Sequence, residues 1–214
     1  MRPIPLRSFA ALALAVTAPL AAQQAMPTEA PGRPDARRVT AGSYRTDPSH
    51  SLIRWEVTHF GFNAYYGLFG DVAGTLELDP RNPAASRLDV TIPVSKVTTV
   101  NAALTQHLLR PGANGGRPDF FGPAPADARF VSTAVRASGS RARITGNLTL
   151  NGVTRPVTID ARFIGAGTNP FNRKETVGFE GTATIRRSEF GITNGIPLVT
   201  DEVKLAISVA FEKQ

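Results

Sequence analysis

The sequence predicts an all-β fold in which about eight antiparallel strands close into a barrel, accompanied by one short helix. Apolar and polar residues alternate with a period of two through most of the chain after Tyr44, and Gly, Pro, Asn and Asp separate the alternating runs. Such alternation is typical of antiparallel strands that bury one face. A barrel is favoured over an open sheet because closure leaves no exposed strand edges.

The first segment, residues 1–22, has the pattern of a secretory signal peptide. Arg2 and Arg7 precede an apolar run from Phe9 to Val16. This run is too short for a membrane-spanning helix, which needs about 20 apolar residues. The protein is therefore expected to be exported and to act in the periplasm or outside the cell.

Residues 23–43 are predicted to be a disordered leader. They contain prolines at 27, 31 and 34 and show no apolar periodicity. A segment with so little to bury is not expected to offset the entropy cost of ordering. The folded domain is therefore predicted to cover residues 44–214.

Within that domain, alternation predicts the individual strands and one segment interrupts it. Two alternating runs are weaker and lie at 68–78 and 129–135. Six runs are clear, and they lie at 53–59, 88–94, 142–150, 157–163, 177–185 and 203–211. The interruption at 101–109 predicts a helix capped by Asn101 and stopped by Pro111, with Leu104 and Leu108 on one face. Such a helix would lie across a barrel mouth or beside the wall.

Phenylalanine is the most frequent aromatic residue, with 12 copies, and many of them fall in loops or at strand ends. Two interpretations are open. The side chains could plug the ends of the barrel core, as buried Phe commonly does. Alternatively, they could converge on one opening and line an elongated apolar pocket for a hydrophobic ligand.

Several short motifs occur in a characteristic order. Residues 44–62 are YRTDPSHSLIRWEVTHFGF, and further motifs follow at 67–70, 119–121, 130–132, 146–156 and 187–192. Together they resemble the YceI-like family of lipid and polyisoprenoid-binding proteins. The resemblance implies a lipocalin-like, elongated antiparallel barrel that holds the isoprenoid tail of a lipid or quinone in a bacterial periplasm. The chain departs from the family near the helix, at Thr105 and in a longer loop at 112–117.

The expected function is therefore that of a periplasmic carrier whose ligand is an isoprenoid-tailed lipid or quinone, with no other cofactor. The expected ligand-binding residues are the apolar and aromatic ones nearest the presumed mouth together with one histidine: Trp55, His59, Phe60, Phe62, Phe69, Leu104, Leu108, Phe120, Phe121, Phe130 and Phe190. His59 follows Trp55 on the apolar face. It is either a satisfied core histidine or a hydrogen-bonding partner for a ligand oxygen.

Metal binding and catalysis find little support in the sequence. The histidines at 50, 59 and 107 show neither strand nor helix spacing for a shared metal ion, so no metal site is expected. There is no cysteine nucleophile, no G-x-S-x-G elbow and no phosphate-binding loop, so no enzyme activity is expected. Two alternatives remain open: an enzyme acting on a hydrophobic substrate in the same pocket, and a stress-linked, non-catalytic interaction protein.

The charge of the chain indicates its partners only weakly. The formal net charge is +7, but residues 1–43 hold five of the 24 basic and two of the 17 acidic groups, which leaves +4 for 44–214. Seven arginines and only two acids lie between Arg110 and Arg155. The excess could form a solvated barrel wall, since Arg141 and Arg143 occupy the polar phase of their strand. Alternatively, it could form a patch attracted to a phosphate-bearing head group or to an anionic membrane surface, with which transient contact is expected. Nucleic acid is not expected because the aromatics lie in apolar contexts, and a homodimer is left open.

Overall fold

The computed structural model describes residues 27–214, which form a β-structure with one α-helix. The predicted signal peptide and residues 23–26 lie outside the described part. Helix α1 is Ala102–Leu109, and the strands are β1 Gly42–Thr46, β2 Leu52–His59, β3 Asn63–Phe69, β4 Ala73–Leu78, β5 Arg87–Ile92, β6 Val97–Thr98, β7 Ala128–Ser138, β8 Arg141–Leu150, β9 Val153–Thr168, β10 Glu175–Arg186 and β11 Glu202–Lys213.

Eight of these strands close into an antiparallel barrel, which confirms the predicted fold class. The order around the ring is β1, β4, β5, β7, β8, β9, β10 and β11, and β11 pairs back onto β1. At the closing pair, Arg45 lies opposite Glu212. The inward faces of these strands carry the alternating apolar residues, because successive side chains point to opposite sides of a strand.

Three further strands extend the wall at one end of the barrel. β11 is long enough to pair with β1 near Phe211 and with β2 from Lys204 to Ser208. A short 3-10 turn, Pro48–His50, separates β1 from β2, so these two strands lie end to end along β11. β3 then pairs with β2, and β6 pairs with β3.

The predicted helix is present and belongs to the same end of the barrel. The Asn101 side chain accepts a hydrogen bond from the Leu104 amide at 3.1 Å, which caps α1 as expected. Leu108 is buried beside Trp55 and Val97, and its carbonyl accepts from the Phe121 amide at 3.0 Å. Among the described residues, no helix is long and apolar enough to span a bilayer.

The opposite part of the barrel is crossed by an N-terminal strap, residues 31–40. Arg33 forms an antiparallel bridge with Ala166 of β9, with hydrogen bonds of 3.0 and 2.9 Å. Gly167 allows this approach, since a Cβ there would lie 2.3 Å from the Pro31 carbonyl oxygen. Val39 is buried with Tyr44 and Phe211. The prediction of a disordered leader is therefore wrong for the strap, because backbone pairing and one buried valine hold it in place.

Candidate functional site

The barrel interior contains two adjacent apolar chambers. The strap chamber has a volume of about 290 Å³ and is bordered by Ala36 and Val39 of the strap. The helix chamber has a volume of about 540 Å³ and is bordered by Leu104 and Leu108 of α1. Four inward-facing residues line both chambers, which therefore adjoin inside the barrel: Ile53, Ile92, Leu148 and Leu205.

The strap chamber is lined mainly by aliphatic side chains from the ring strands. Ile144 on β8 and Ile159 on β9 lie opposite each other in register, and both face inward. At the strap end the wall becomes aromatic, with Phe163, Phe179 and Phe211 packed edge to face. A chamber with such a wall suits a hydrocarbon chain, because it offers apolar contact and few polar groups.

The helix chamber is wider and more aromatic. Phe69 packs edge to face against Phe121 with ring centroids 6.0 Å apart, and the rings of Trp55 and Tyr65 are 6.4 Å apart. Trp55 lies on β2 opposite Gly67 of β3, and the absence of a side chain at Gly67 leaves room for the indole. The helix chamber thus combines flat aromatic surfaces with a few polar groups.

Eight of the eleven predicted ligand-binding residues line the interior. Phe130 borders the strap chamber. The other seven border the helix chamber, where β2, β3, α1 and the segment after it meet: Trp55, His59, Phe69, Leu104, Leu108, Phe120 and Phe121. The hypothesis that aromatic residues from separate connections converge on one pocket agrees with this arrangement.

The structure does not bring the other three predicted residues to either chamber. Phe60 and Phe62 form the turn between β2 and β3 and are 48% and 87% exposed. Phe60 adopts a positive φ of 51°, so the strand alternation that faces Trp55 inward does not continue through the turn. Phe190 is only 1% exposed and is packed in the core, outside both chambers.

Several lining residues were missed by the sequence analysis, most notably Tyr65. It lies on β3 opposite Val57 and faces the helix chamber. Its strand begins at Asn63, before the weaker run that the sequence indicated at 68–78. Pairing residues 63–69 as a hairpin with β2 would have placed Tyr65 on the inward face.

A histidine and a carboxylate meet beside α1. His107 Nε2 lies 2.8 Å from Asp119 Oδ2, and Arg110 donates to the same oxygen at 2.8 Å. The hydrogen bonds from Arg110 and His107 hold the pKa of the Asp119 carboxyl below its ordinary value. The His107 ring borders the helix chamber and packs edge to face with Phe120. Its imidazole is therefore oriented by the protein.

Arg187 is a buried arginine that organises another border of the helix chamber. It is 5% exposed, and burial lowers its pKa while Asp201 opposes that effect. Its guanidinium donates to backbone carbonyls of the loop 192–200, with distances of 2.7 Å to Asn194, 2.9 Å to Val199 and 2.9 Å to Thr200. Asn194 and Val199 line the chamber, so Arg187 positions its wall.

Metal ligation receives no geometric support from the described residues. Among residues 27–214 there is no cluster of three His, Asp or Glu groups that could hold a metal ion. His50 Nδ1 lies 2.6 Å from Asp47 Oδ2 in the turn before β2.

The outer wall carries a groove of about 860 Å³, called here the basic groove, formed on the outward faces of β8 to β11 with neighbouring parts of β2 and β7. Its charged residues are Arg54, Arg136, Arg141, Arg143, Arg162, Asp160 and Glu180. Ion pairs of 3.1 Å between Arg143 and Asp160 and 2.7 Å between Arg162 and Glu180 neutralise part of the charge. The local arginine excess is thus smaller on the folded surface than in the sequence.

Comparisons with known proteins agree with this architecture. A family model described as the YceI-like domain matches residues 44–211. A UPF0312 protein of Pseudomonas aeruginosa is 40% identical over 182 residues, covering 84% of this chain and 91% of the relative. Protein YceI of Salmonella heidelberg is 37% identical over 179 residues, covering 82% and 90%.

Solved structures share the fold. BcnA of Burkholderia cenocepacia has a TM-score of 0.64 at 24% identity, covering 77% of this chain and 98% of that one. The YCEI protein of Campylobacter jejuni has a TM-score of 0.59 at 28% identity, covering 73% and 90%. A polyisoprenoid binding domain from Saccharophagus degradans has a TM-score of 0.54 at 11% identity, covering 80% and 98%.

Proposed function

Because the chain belongs to the YceI-like family, we propose that it is a periplasmic carrier that holds an isoprenoid-tailed lipid or quinone inside its barrel. The observation that carries the proposal is the pair of adjoining apolar chambers. Their combined size lies in the range of about 300–1,000 Å³ that is typical of ligand pockets. A structural neighbour described as a polyisoprenoid binding domain supports the same ligand class.

Burial of the tail supplies the driving force in this proposal. Each CH₂ group removed from water contributes about 0.8 kcal/mol, so every isoprenoid unit inside the chambers adds several kcal/mol before ordering costs. The tail extends from the helix chamber past Leu148 and Leu205 into the strap chamber. Chain length and branching therefore determine affinity through the space available on either side of that junction.

Analysis of the co-purifying lipid tests the proposal directly. The protein is purified without detergent, weighed intact by native mass spectrometry and then extracted with organic solvent. We expect a prenyl-tailed lipid or quinone at close to one per barrel, and a higher melting temperature with ligand than without. A protein that emerges ligand-free and is not stabilised by any added prenol or quinone would contradict the carrier function.

A variant at the junction tests the proposed path of the tail. Leu205→Trp narrows the passage that Leu205 borders on both sides. Leu68→Trp is the matched control, because Leu68 is 39% exposed and lies outside both chambers. We expect the junction variant to retain shorter tails or none while the control retains the native ligand. Equal retention by two folded variants would exclude a path through the junction.

We also propose that the barrel binds its ligand without changing it chemically. The Arg187 guanidinium is engaged by backbone carbonyls, so it is not poised for proton transfer to a ligand. His107 Nε2 is hydrogen-bonded to Asp119, so proton exchange with a ligand through that nitrogen would require the pair to separate. The enzyme alternative assigns that role to His59, which borders the helix chamber. We expect a bound quinone to be recovered unchanged after prolonged incubation with the native chain. A product that forms with the native chain but not with His59→Ala would support an enzyme.

Membrane contact belongs to the same proposal. Arginines of the basic groove near an anionic bilayer would each contribute about 1 kcal/mol. The double variant Arg136→Glu/Arg141→Glu should co-sediment less with anionic vesicles than the native chain, and neither should bind neutral vesicles. Equal co-sedimentation of the double variant and the native chain with anionic vesicles would exclude the groove as the contact surface.

The location and the oligomeric state need separate experiments. Cell fractionation tests the periplasmic location, and sedimentation velocity tests for a homodimer.

A further inference from the structure

The helix chamber holds two buried hydrogen-bond donors that have no partner among the described residues. They are the indole Nε1 of Trp55 and the hydroxyl of Tyr65. Trp55 is only 9% exposed, and its N–H can act solely as a donor. Since buried polar groups are normally hydrogen-bonded, two orphaned groups in one chamber indicate that an acceptor is supplied from outside the protein.

The two donors belong to one subsite. Trp55 lies opposite Gly67 and Tyr65 lies opposite Val57 in the β2 and β3 pair, so both side chains face inward two positions apart. Their rings are 6.4 Å apart, and both border the same chamber. The surrounding wall is apolar, with Phe69, Leu108 and Val203 packed against the cluster. Both donors therefore belong to residues that border the space a single ligand head group would occupy.

The charges around the chamber decide what kind of head group fits. Arg187 donates hydrogen bonds to backbone carbonyls. His107 is paired with Asp119, and Arg110 donates to the same carboxylate. A phosphate or diphosphate drawn into this chamber would be desolvated beside an Arg187 and a His107 that are already engaged, and His59, which also borders the chamber, could pair with it only when protonated. Burial of a charge without a counter-ion is strongly unfavourable, whereas a neutral oxygen needs only the two donors.

We propose that Trp55 and Tyr65 form a head-group subsite for a neutral oxygen acceptor, such as a quinone carbonyl or a phenol oxygen, and that prenyl phosphates are excluded. This inference rests on the proposed carrier function and adds the class and orientation of the ligand. The head group lies in the helix chamber, and the tail points toward the strap chamber.

Binding measurements on the full chain, freed of co-purifying lipid, test the subsite. The probes are a prenylated benzoquinone, a hydrocarbon with the same tail and the corresponding prenyl phosphate. Trp55→Phe and Tyr65→Phe each remove one donor and keep a ring. We expect each to lose about 5-fold to 10-fold in quinone affinity. Hydrocarbon affinity should stay unchanged. Tyr66→Phe is the matched control, because Tyr66 is 44% exposed on the outer face of β3.

Trp55 also provides a direct signal in the native chain, since it is the only tryptophan. Its indole N–H gives a single ¹H–¹⁵N resonance, which should move downfield with the quinone and not with the hydrocarbon. Three results would overturn the subsite while leaving tail binding intact. The native chain could bind the quinone and the hydrocarbon with equal affinity, it could bind the prenyl phosphate more tightly than the quinone, or the indole resonance could show no quinone-specific shift. If none of the three probes binds, the carrier function itself fails.

Discussion

The indole ring of Trp55 lies directly over Gly67, its partner in the β2 and β3 pair. A Cβ atom at position 67 would stand 2.2 Å from Cζ2 and 2.4 Å from Cε2 of the indole, with the Thr98 carbonyl oxygen 2.7 Å away. No side chain fits in this space. The width of the helix chamber therefore depends on a glycine that does not itself offer a binding group.

Gly67→Ala should displace the indole and destabilise the fold by about 1–3 kcal/mol, the usual cost of overpacking. The emission spectrum of the single tryptophan should change, and the melting temperature should fall. Gly70→Ala is the control, because nothing lies within 4 Å of a Cβ at that position. An unchanged emission spectrum in Gly67→Ala would mean that the wall adapts without moving Trp55.

Arg187→Lys should loosen the loop 192–200 and destabilise the protein by about 2–4 kcal/mol, because a lysine cannot reproduce the arginine fork that meets several carbonyls. Amide hydrogen exchange in that loop should become faster under conditions in which the protein as a whole stays folded. Arg186→Lys serves as the control, since its side chain is 65% exposed and makes only a 3.7 Å ion pair. Similar exchange in the two variants would argue against the role assigned to Arg187.

Gly167→Ala should detach the strap, because the new methyl group would overlap the Pro31 carbonyl. Amide exchange at Arg33 and Ala166 should rise, and a bound quinone should leave several-fold faster, since Ala36 and Val39 border the strap chamber. Gly178→Ala is the matched control, with its nearest contacts at 3.8 and 4.0 Å. Detachment without faster release would show that the ligand exits elsewhere.

Acid should also release the strap, through Glu175. This carboxylate accepts from the Thr40 amide at 2.9 Å and from the Thr40 hydroxyl at 2.7 Å. Burial alone would raise its pKa, but the hydrogen bonds from Tyr44 and Thr40 hold the pKa below its ordinary 4.5. A depressed folded-state pKa stabilises the protein above the unfolded-state value, and the stabilisation is lost as the pH falls through the folded value.

Amide chemical shifts of Arg33 and Ala166 should therefore change as the pH is lowered below about 4.5. Glu175→Gln should abolish this titration and leave the strap looser at every pH. Burial raises the pKa of Tyr44 to about 12, so its hydroxyl does not contribute to the acid transition. The same titration in Glu175→Gln would assign the transition to another group.

The sequence predicted the parts of the molecule that depend on local pattern. Ile53, Trp55 and Val57 face inward because strand alternation survives in the folded wall. The helix was predictable for a similar reason, since its Asn101 cap is a local interaction. These features concern neighbouring residues, so they can be inferred without knowing which strands meet.

Features that depend on distant partners could not be predicted in this way. The strap is ordered because Gly165 and Gly167 of β9 admit its backbone, and no local pattern around Arg33 reveals them. Phe62 was predicted to line the pocket because its side chain is aromatic, yet it lies in the turn after β2 and is exposed to solvent. Arg187 is buried because backbone carbonyls of the loop 192–200 accept from its guanidinium, and no local pattern indicates those partners.

The double pairing of β11 has a consequence for how the barrel forms. One edge of β11 joins β10, while the other joins β1 and β2 in succession. Until residues 202–213 are in place, those partner strands present unpaired edges that invite association between chains. Contacts between such distant segments slow folding, because a long loop must close first. Ring closure is therefore expected late in folding. The chain should retain a ligand only once the ring has closed.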